Sequence, residues 1–270
     1  MSLLDDLIRK RAKLDAAIQD LKTLDDPPGG LVTAFQKLVN EGTAVDWLIG
    51  GLMVKGSVNM LVADPKVGKT TLVVQLALAI TSGSYGIFGF NISECLPVLV
   101  VEAEGARRAF AARLATTARS MNVEIPTNGF IQADGMTDFQ IGSPGLERLI
   151  AASKAGLVVL DTLGYFHTGD ENSATDWKKN VMVPLRKLTA KYGCSFLLVH
   201  HQTKESQERK GWQKGRGTAA MFGDCDLWLR MEAPDGTAKR VLHVDGNKYG
   251  RMGYEIPLSL DTVRAIFTWD

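Results

Sequence analysis

From residue 57 to residue 200 the chain alternates short, unbroken apolar runs with longer segments of helical periodicity. The runs Ser57–Ala63, Pro97–Glu102, Phe130–Ala133, Gly156–Asp161 and Cys194–His200 have strand length and read as strands. Helical stretches fall near 70–82, 105–120, 145–154 and 175–191. Strands that are apolar throughout, rather than every second residue, are covered on both faces, and strands separated by helices pair in parallel. The last third changes character. Asp226–Met231, Arg240–Gly246 and Val263–Trp269 are strand candidates joined by turns such as Pro234-Asp235-Gly236, which predicts an antiparallel extension of the same sheet. The expected fold class is therefore α/β.

Ahead of this region, Leu4, Leu7, Ile8, Leu14, Ile18 and Leu21 recur at helical spacing with charges between them, and Asp25-Asp26-Pro27-Pro28-Gly29-Gly30 breaks the pattern. The expected organisation is a helical arm at 1–26, a linker and lead-in at 27–56, and a core at 57–270. A lone amphipathic helix needs an apolar surface, either on its own domain or on a neighbouring subunit.

Composition narrows the class. The 270 residues suffice for one large domain with an appendage, and 45% hydrophobic with 23% charged content is ordinary for a globular protein. A net charge of +1 gives no global basic signal, so a nucleic-acid site has to come from a local patch. Cys95, Cys194 and Cys225 are scattered without a C-x-x-C pair, which argues against a disulfide framework or a cysteine zinc site. No apolar stretch approaches membrane-span length and the N-terminus lacks a signal-peptide core, so the expectation is a cytoplasmic protein without membrane attachment.

The chemistry begins at Ser57–Thr71, SVNMLVADPKVGKTT: an apolar strand, a tight loop, then Gly68-Lys69-Thr70-Thr71 opening an apolar helix. Backbone N–H groups in such a loop and at the helix start converge on a polyphosphate. Residues Ala63, Asp64, Pro65, Lys66, Val67, Gly68, Lys69, Thr70 and Thr71 are the candidate nucleotide cradle. Lys69 would reach the β- and γ-phosphates and Thr70 would ligate Mg²⁺. Ala63 stands where G-x-x-x-x-G-K-[ST] has its first glycine, a change tolerated unless φ must be positive.

Further on, Gly156–Asp161 is a buried strand ending in a carboxylate, the expected Mg²⁺-holding Asp161 of a P-loop protein. Hydrolysis needs a group that orients the attacking water at a strand end. Glu102 and Glu104 compete for it, and Glu104, beyond the apolar run, is preferred. His200 and His201 close the next strand, where a polar pair could sense the γ-phosphate. Gln202–Gly217 carries Lys204, Arg209, Lys210, Lys214 and Arg216 against two acids, with Trp212 between, so it suits phosphate contact and base stacking.

Together these motifs resemble the RecA/DnaB-type ATPases, and most closely plasmid RepA-like hexameric replicative helicases, from about Asp46-Trp47-Leu48 to the C-terminus. The resemblance rests on VADPKVGKTT, PVLVVEAEG followed by Arg113-Leu114, VVLDTLGYFHTGDENS, GCSFLLVHHQTK and Arg216-Gly217-Thr218. It implies a RecA-like P-loop core that uses ATP and Mg²⁺ and acts as a ring on single-stranded DNA, most commonly a hexamer. It further implies Glu104 as the catalytic glutamate, Asp161 as the metal aspartate, and His201 at the γ-phosphate sensor. By the same likeness Gln202–Lys214 is a channel loop touching DNA, and Arg216 an arginine finger acting in trans. Lys248 and Arg251 correspond to further basic residues acting across the interface.

Three other readings remain open at this point. One is a filament-forming recombination or repair ATPase. Another is a metal-dependent nuclease built on Glu102, Asp161, Asp170, His200 and His201. The last is a regulatory ATPase without DNA contact, in which charge reversal at Lys210 and Lys214 would leave every activity intact.

Overall fold

The computed structural model describes residues 44–84, 86–127, 129–132, 137–170, 173–201, 219–234 and 237–270. The expected arm at 1–26, the linker up to residue 43 and the basic segment Gln202–Gly217 lie outside the described residues.

In chain order the elements are β1 (Trp47–Ile49), β2 (Met53–Val54), β3 (Val58–Ala63), α1 (Lys69–Thr81), β4 (Gly86–Ile87), β5 (Phe90–Asn91), β6 (Val98–Glu102) and α2 (Arg107–Met121). There follow β7 (Phe130–Gln132), α3 (Pro144–Ser153), β8 (Leu157–Asp161), α4 (Val183–Tyr192), β9 (Ser195–His201) and α5 (Ala219–Asp224). The chain closes with β10 (Leu227–Glu232), β11 (Lys239–Asn247), β12 (Tyr254–Asp261) and β13 (Ile266–Trp269). A π-helical stretch, Trp177–Met182, leads into α4.

Nine strands form the main sheet in the order β13-β12-β11-β10-β3-β9-β8-β6-β7. From β7 to β10 all neighbours are parallel. From β10 to β13 they are antiparallel. The parallel sheet and its antiparallel C-terminal extension thus match the pattern reading. The lead-in is more than a connection, because Leu48, Ile49, Leu52 and Met53 of the β1–β2 hairpin belong to the core.

Two apolar layers flank the sheet. One contains α1, α2 and alternate residues of the strands, including Leu61, Val100, Val159 and Val199. The other contains α3, α4 and the intervening residues, including Val62, Val101, Leu160 and Leu198. Helix α1 is apolar around its whole circumference because the sheet, α2 and the extension enclose it, and eleven of its residues are buried.

Strand β12 has no counterpart in the pattern reading. Its alternation is clear, with Ile256, Leu258 and Leu260 buried, but Pro257 weakens a strand assignment. The proline is tolerated because it stands just past the end of the β12–β13 ladder, where its carbonyl accepts the Asp270 N–H at 3.3 Å. At the outer strand, the Gln75 side chain of α1 donates to the Phe267 carbonyl at 2.8 Å and accepts the Phe267 N–H at 2.6 Å. A helix side chain therefore covers the sheet edge.

Candidate active site

Side chains alternate along a strand, so the core-facing register decides which polar residue emerges at its end. In β6 the α1 face takes Val98 and Val100, hence Glu102. In β8 it takes Leu157 and Val159, hence Asp161, and in β9 Leu197 and Val199, hence His201. Glu102 lies opposite Asp161 in the ladder, and Ala63 opposite His201. Four adjacent strands therefore deliver these positions to one side of the sheet at its carboxyl edge, beside the start of α1. Ligands of open α/β sheets bind at this edge.

The loop from β3 to α1 follows from its residues. Ala63 is fully buried and paired with both Met231 and His201, so it continues the strand and a glycine is not required. Gly68, just before α1, has φ +115°, and a Cβ there would meet Phe267 Cζ at 2.9 Å. Only glycine suits both conditions. Lys66 also has positive φ, +67°.

The Lys69 ammonium contacts the carbonyl oxygens of Ala63 and Asp64 at 3.3 and 3.1 Å and His201 Nδ1 at 3.3 Å. Burial holds its pKa below the ordinary lysine range, against the attraction of Asp161, Glu104 and Asp64. The Thr70 hydroxyl donates to Asp161 Oδ2 at 2.8 Å. His201 Nε2 stands 3.4 Å from Glu104 Oε2, so His201 bridges Lys69 and Glu104. Burial pushes Asp161 up to about 6 against the Thr70 hydrogen bond, with the Glu102 charge adding to the rise.

These groups line a cleft of about 610 Å³. Pro65, Lys66, Gly68, Lys69, Thr70 and Thr71 form one wall, and Glu102, Glu104, Gly105 and His201 another. Arg113 of α2 and Leu260, Thr262 and Ala265 of the extension complete it. The last three carry no functional signal in the sequence. They reach the cleft because β12 and β13 fold back over α1, with the Ala265 carbonyl accepting from Thr117 at 2.8 Å.

The donor set fits Mg²⁺, which is held by one or two carboxylates or hydroxyls together with substrate phosphates. Asp161 Oδ1 is buried without a hydrogen-bond partner among the described residues, an acceptor that a cation would complete. Among those residues no three His, Cys, Asp or Glu side chains group to hold a metal by themselves. The carboxylate–histidine set considered for a nuclease is divided accordingly. His200 lies opposite Val62, on the sheet face away from His201, and Asp170 is exposed.

Other sequence candidates lie elsewhere. Lys248 follows β11 at the amino edge of the parallel strands, opposite the cleft. Its ammonium contacts the Asp224 carbonyl at 3.0 Å and Asp226 Oδ1 at 3.5 Å. Arg251 is exposed, with its guanidinium 5.4 Å from the centre of the Tyr254 ring. Lys204, Arg209, Lys210, Lys214 and Arg216 lie outside the described residues, as do Glu171 and Asn172 of the VVLDTLGYFHTGDENS motif.

A phosphate loop at the carboxyl edge of a central parallel strand, with a buried aspartate on the helix-start threonine and a glutamate across the cleft, defines a RecA-type P-loop ATPase. Comparison with known proteins agrees: residues 21–207 match the AAA domain family, to which the chain belongs. The chain is 24% identical over 225 residues to the DNA repair protein RadA of Brucella abortus (strain 2308), a match covering 82% of this chain and 43% of that protein. The chain thus spans under half the length of that curated relative. A DnaB-like replicative helicase solved with attention to its primase interactions superposes with a TM-score of 0.64 at 12% identity, over 98% of this chain and 74% of that one. The RadB recombinase superposes at 0.54 with 17% identity, over 78% of this chain and 90% of that one. At such identities the superpositions establish the fold. Among the described residues no helix is long and apolar enough to cross a membrane.

Proposed function

We propose that this chain is a ring-forming DNA motor, a helicase or translocase that couples Mg²⁺-ATP hydrolysis to movement along single-stranded DNA in replication. The observation that carries the reading is the separation of the cleft from a second pair of basic residues across the length of the sheet. The phosphate cradle lies at one edge and the Lys248–Arg251 loop at the other, so these cations cannot serve the chain's own nucleotide. In a closed head-to-tail ring each copy would offer that loop to its neighbour's cleft. Arg216 would act there as an arginine finger, which stabilises charge on the transferred phosphoryl group and makes hydrolysis depend on assembly.

Within one chain the roles follow from position. Lys69, its ammonium held among carbonyls and partly desolvated, exchanges those contacts for β- and γ-phosphate oxygens. Thr70 and Asp161 would hold Mg²⁺, which neutralises phosphate charge when bound. Glu104 orients the attacking water. His201, between Lys69 and Glu104, reads whether the γ-phosphate is present. The basic segment bearing Lys204, Arg209, Lys210 and Lys214 begins directly after His201, so a change there passes along the chain to the DNA contact. The likeness to a DnaB-like replicative helicase supports this reading. The match to the DNA repair protein RadA supports a second, a recombination or repair ATPase.

The test is ATP hydrolysis with and without single-stranded DNA, with Lys69→Ala and Glu104→Gln as controls. DNA-stimulated hydrolysis lost in both variants is expected, and hydrolysis indifferent to DNA refutes the motor. Closed rings in negative-stain images favour the helicase, and filaments the recombination reading.

A further inference from the structure

Glu102, the last residue of β6, is 3% exposed although it carries a carboxylate. Ionised groups are buried only where partners compensate the lost hydration. Here the partners are backbone. Glu102 Oε1 accepts the N–H of Glu104 at 3.0 Å and of Gly105 at 2.5 Å. The fit is close, since a Cβ on Gly105 would lie 3.0 Å from that same oxygen. Oε2 is buried with no hydrogen-bond partner among the described residues.

The turn gripped in this way carries the hydrolytic candidate. The Glu104 side chain is 46% exposed, so packing does little to hold it, and its own contact is with His201 at 3.4 Å. Its reach toward the γ-phosphate therefore depends on the backbone beneath it. That backbone is fixed at Ala103, whose N–H donates to the Asp161 carbonyl at 2.8 Å, and then by the Glu102 carboxylate. Charge-assisted bonds from two consecutive N–H groups are stronger than neutral ones and set the orientation of the turn.

We propose that Glu102 is a positioning residue for ATP hydrolysis: its carboxylate clamps the Glu104–Gly105 turn and acts through Glu104, without touching the nucleotide. The proposal rests on the reading of Glu104 as the water-orienting glutamate.

The experiment measures kcat, KM and affinity for a fluorescent ATP analogue in the full chain. The variants are Glu102→Ala, Glu102→Gln, Glu104→Gln and the double variant Glu102→Ala/Glu104→Gln. Glutamine keeps a carbonyl oxygen that can accept both N–H groups, whereas alanine removes the clamp. A misplaced catalytic group costs up to about a hundredfold in rate, so alanine should lower kcat roughly tenfold to a hundredfold and leave affinity within about twofold. Glutamine should recover most of that loss. In the Glu104→Gln background alanine should cost nothing more, because the two side chains act as one unit.

A wild-type kcat in Glu102→Ala overturns the proposal, as does a parallel loss of affinity and kcat, or an undiminished loss in the Glu104→Gln background. Should alanine fail to fold, Glu102→Asp, which keeps the charge but draws it back by one methylene, carries the same expectation. Full hydrolysis by Glu104→Gln itself refutes the parent reading. Loss in Glu104→Gln beside wild-type turnover in Glu102→Ala refutes only the clamp.

Discussion

Replacing Asp161 by asparagine should abolish hydrolysis and yet make the metal-free protein more stable at neutral pH. The carboxyl is 1% exposed and its pKa stands at about 6, against an ordinary 3.8. A rise of about two units corresponds to about 3 kcal/mol that the ionised form costs the fold. The direction follows from linkage. Below pH 4 the group is protonated in folded and unfolded chains alike and costs nothing. Between 4 and 6 the unfolded chain releases its proton while the folded chain keeps it, so stability falls with rising pH. Above 6 the cost is constant. Asparagine carries no charge, and its carbonyl oxygen can still accept from Thr70. The variant should therefore gain nothing near pH 4 and up to about 3 kcal/mol at pH 7.5, roughly 6–12 °C in Tm for a domain of this size. Urea and thermal denaturation from pH 4 to 8 in excess chelator measure it. Asparagine no more stable than wild type at pH 7.5, or a difference that does not grow from pH 4 to 6, would refute the burial argument.

Other expectations follow from single contacts. Gly68→Ala forces a Cβ into a positive-φ position against Phe267, so it should cost about 1–3 kcal/mol in denaturation and weaken nucleotide binding in the same protein. Asp226→Ala leaves the Val58 N–H and the Arg186 guanidinium, at 2.8 and 2.7 Å, without their acceptor. Because the Arg186 side chain is 39% exposed, water replaces part of the loss, and about 2–3 kcal/mol of destabilisation is expected by urea titration. Lys69→Met should lower ATP affinity at least about a hundredfold by calorimetry, because it deletes a phosphate-reaching charge. It should leave the unfolding midpoint equal or higher, since the ammonium is desolvated where it sits.

How much was readable in advance depended on how local each signal is. Parallel strands show as unbroken apolar runs, and their observed ends at Ala63, Glu102, Asp161 and His201 fall within one residue of the pattern reading. The phosphate loop is equally legible, because glycine, lysine and threonine must be consecutive to present backbone N–H groups and a hydroxyl at one helix start. Strand β12 shows the limit: its alternation is present, but a central proline counts against it until the position of that proline in the ladder is known.

The sequence by itself determined the sheet, its handover to an antiparallel extension, and the chemical types at the carboxyl edge, since these depend on periodicity and on adjacent residues. Only the tertiary structure decided that both glutamates line the cleft, with the Glu102 carboxylate buried beneath the turn that carries Glu104. It alone brought Leu260, Thr262 and Ala265 to the nucleotide side and set Gln75 against Phe267. These contacts join residues up to 192 positions apart. Such pairings depend on strand order and helix docking, which no local window of residues encodes.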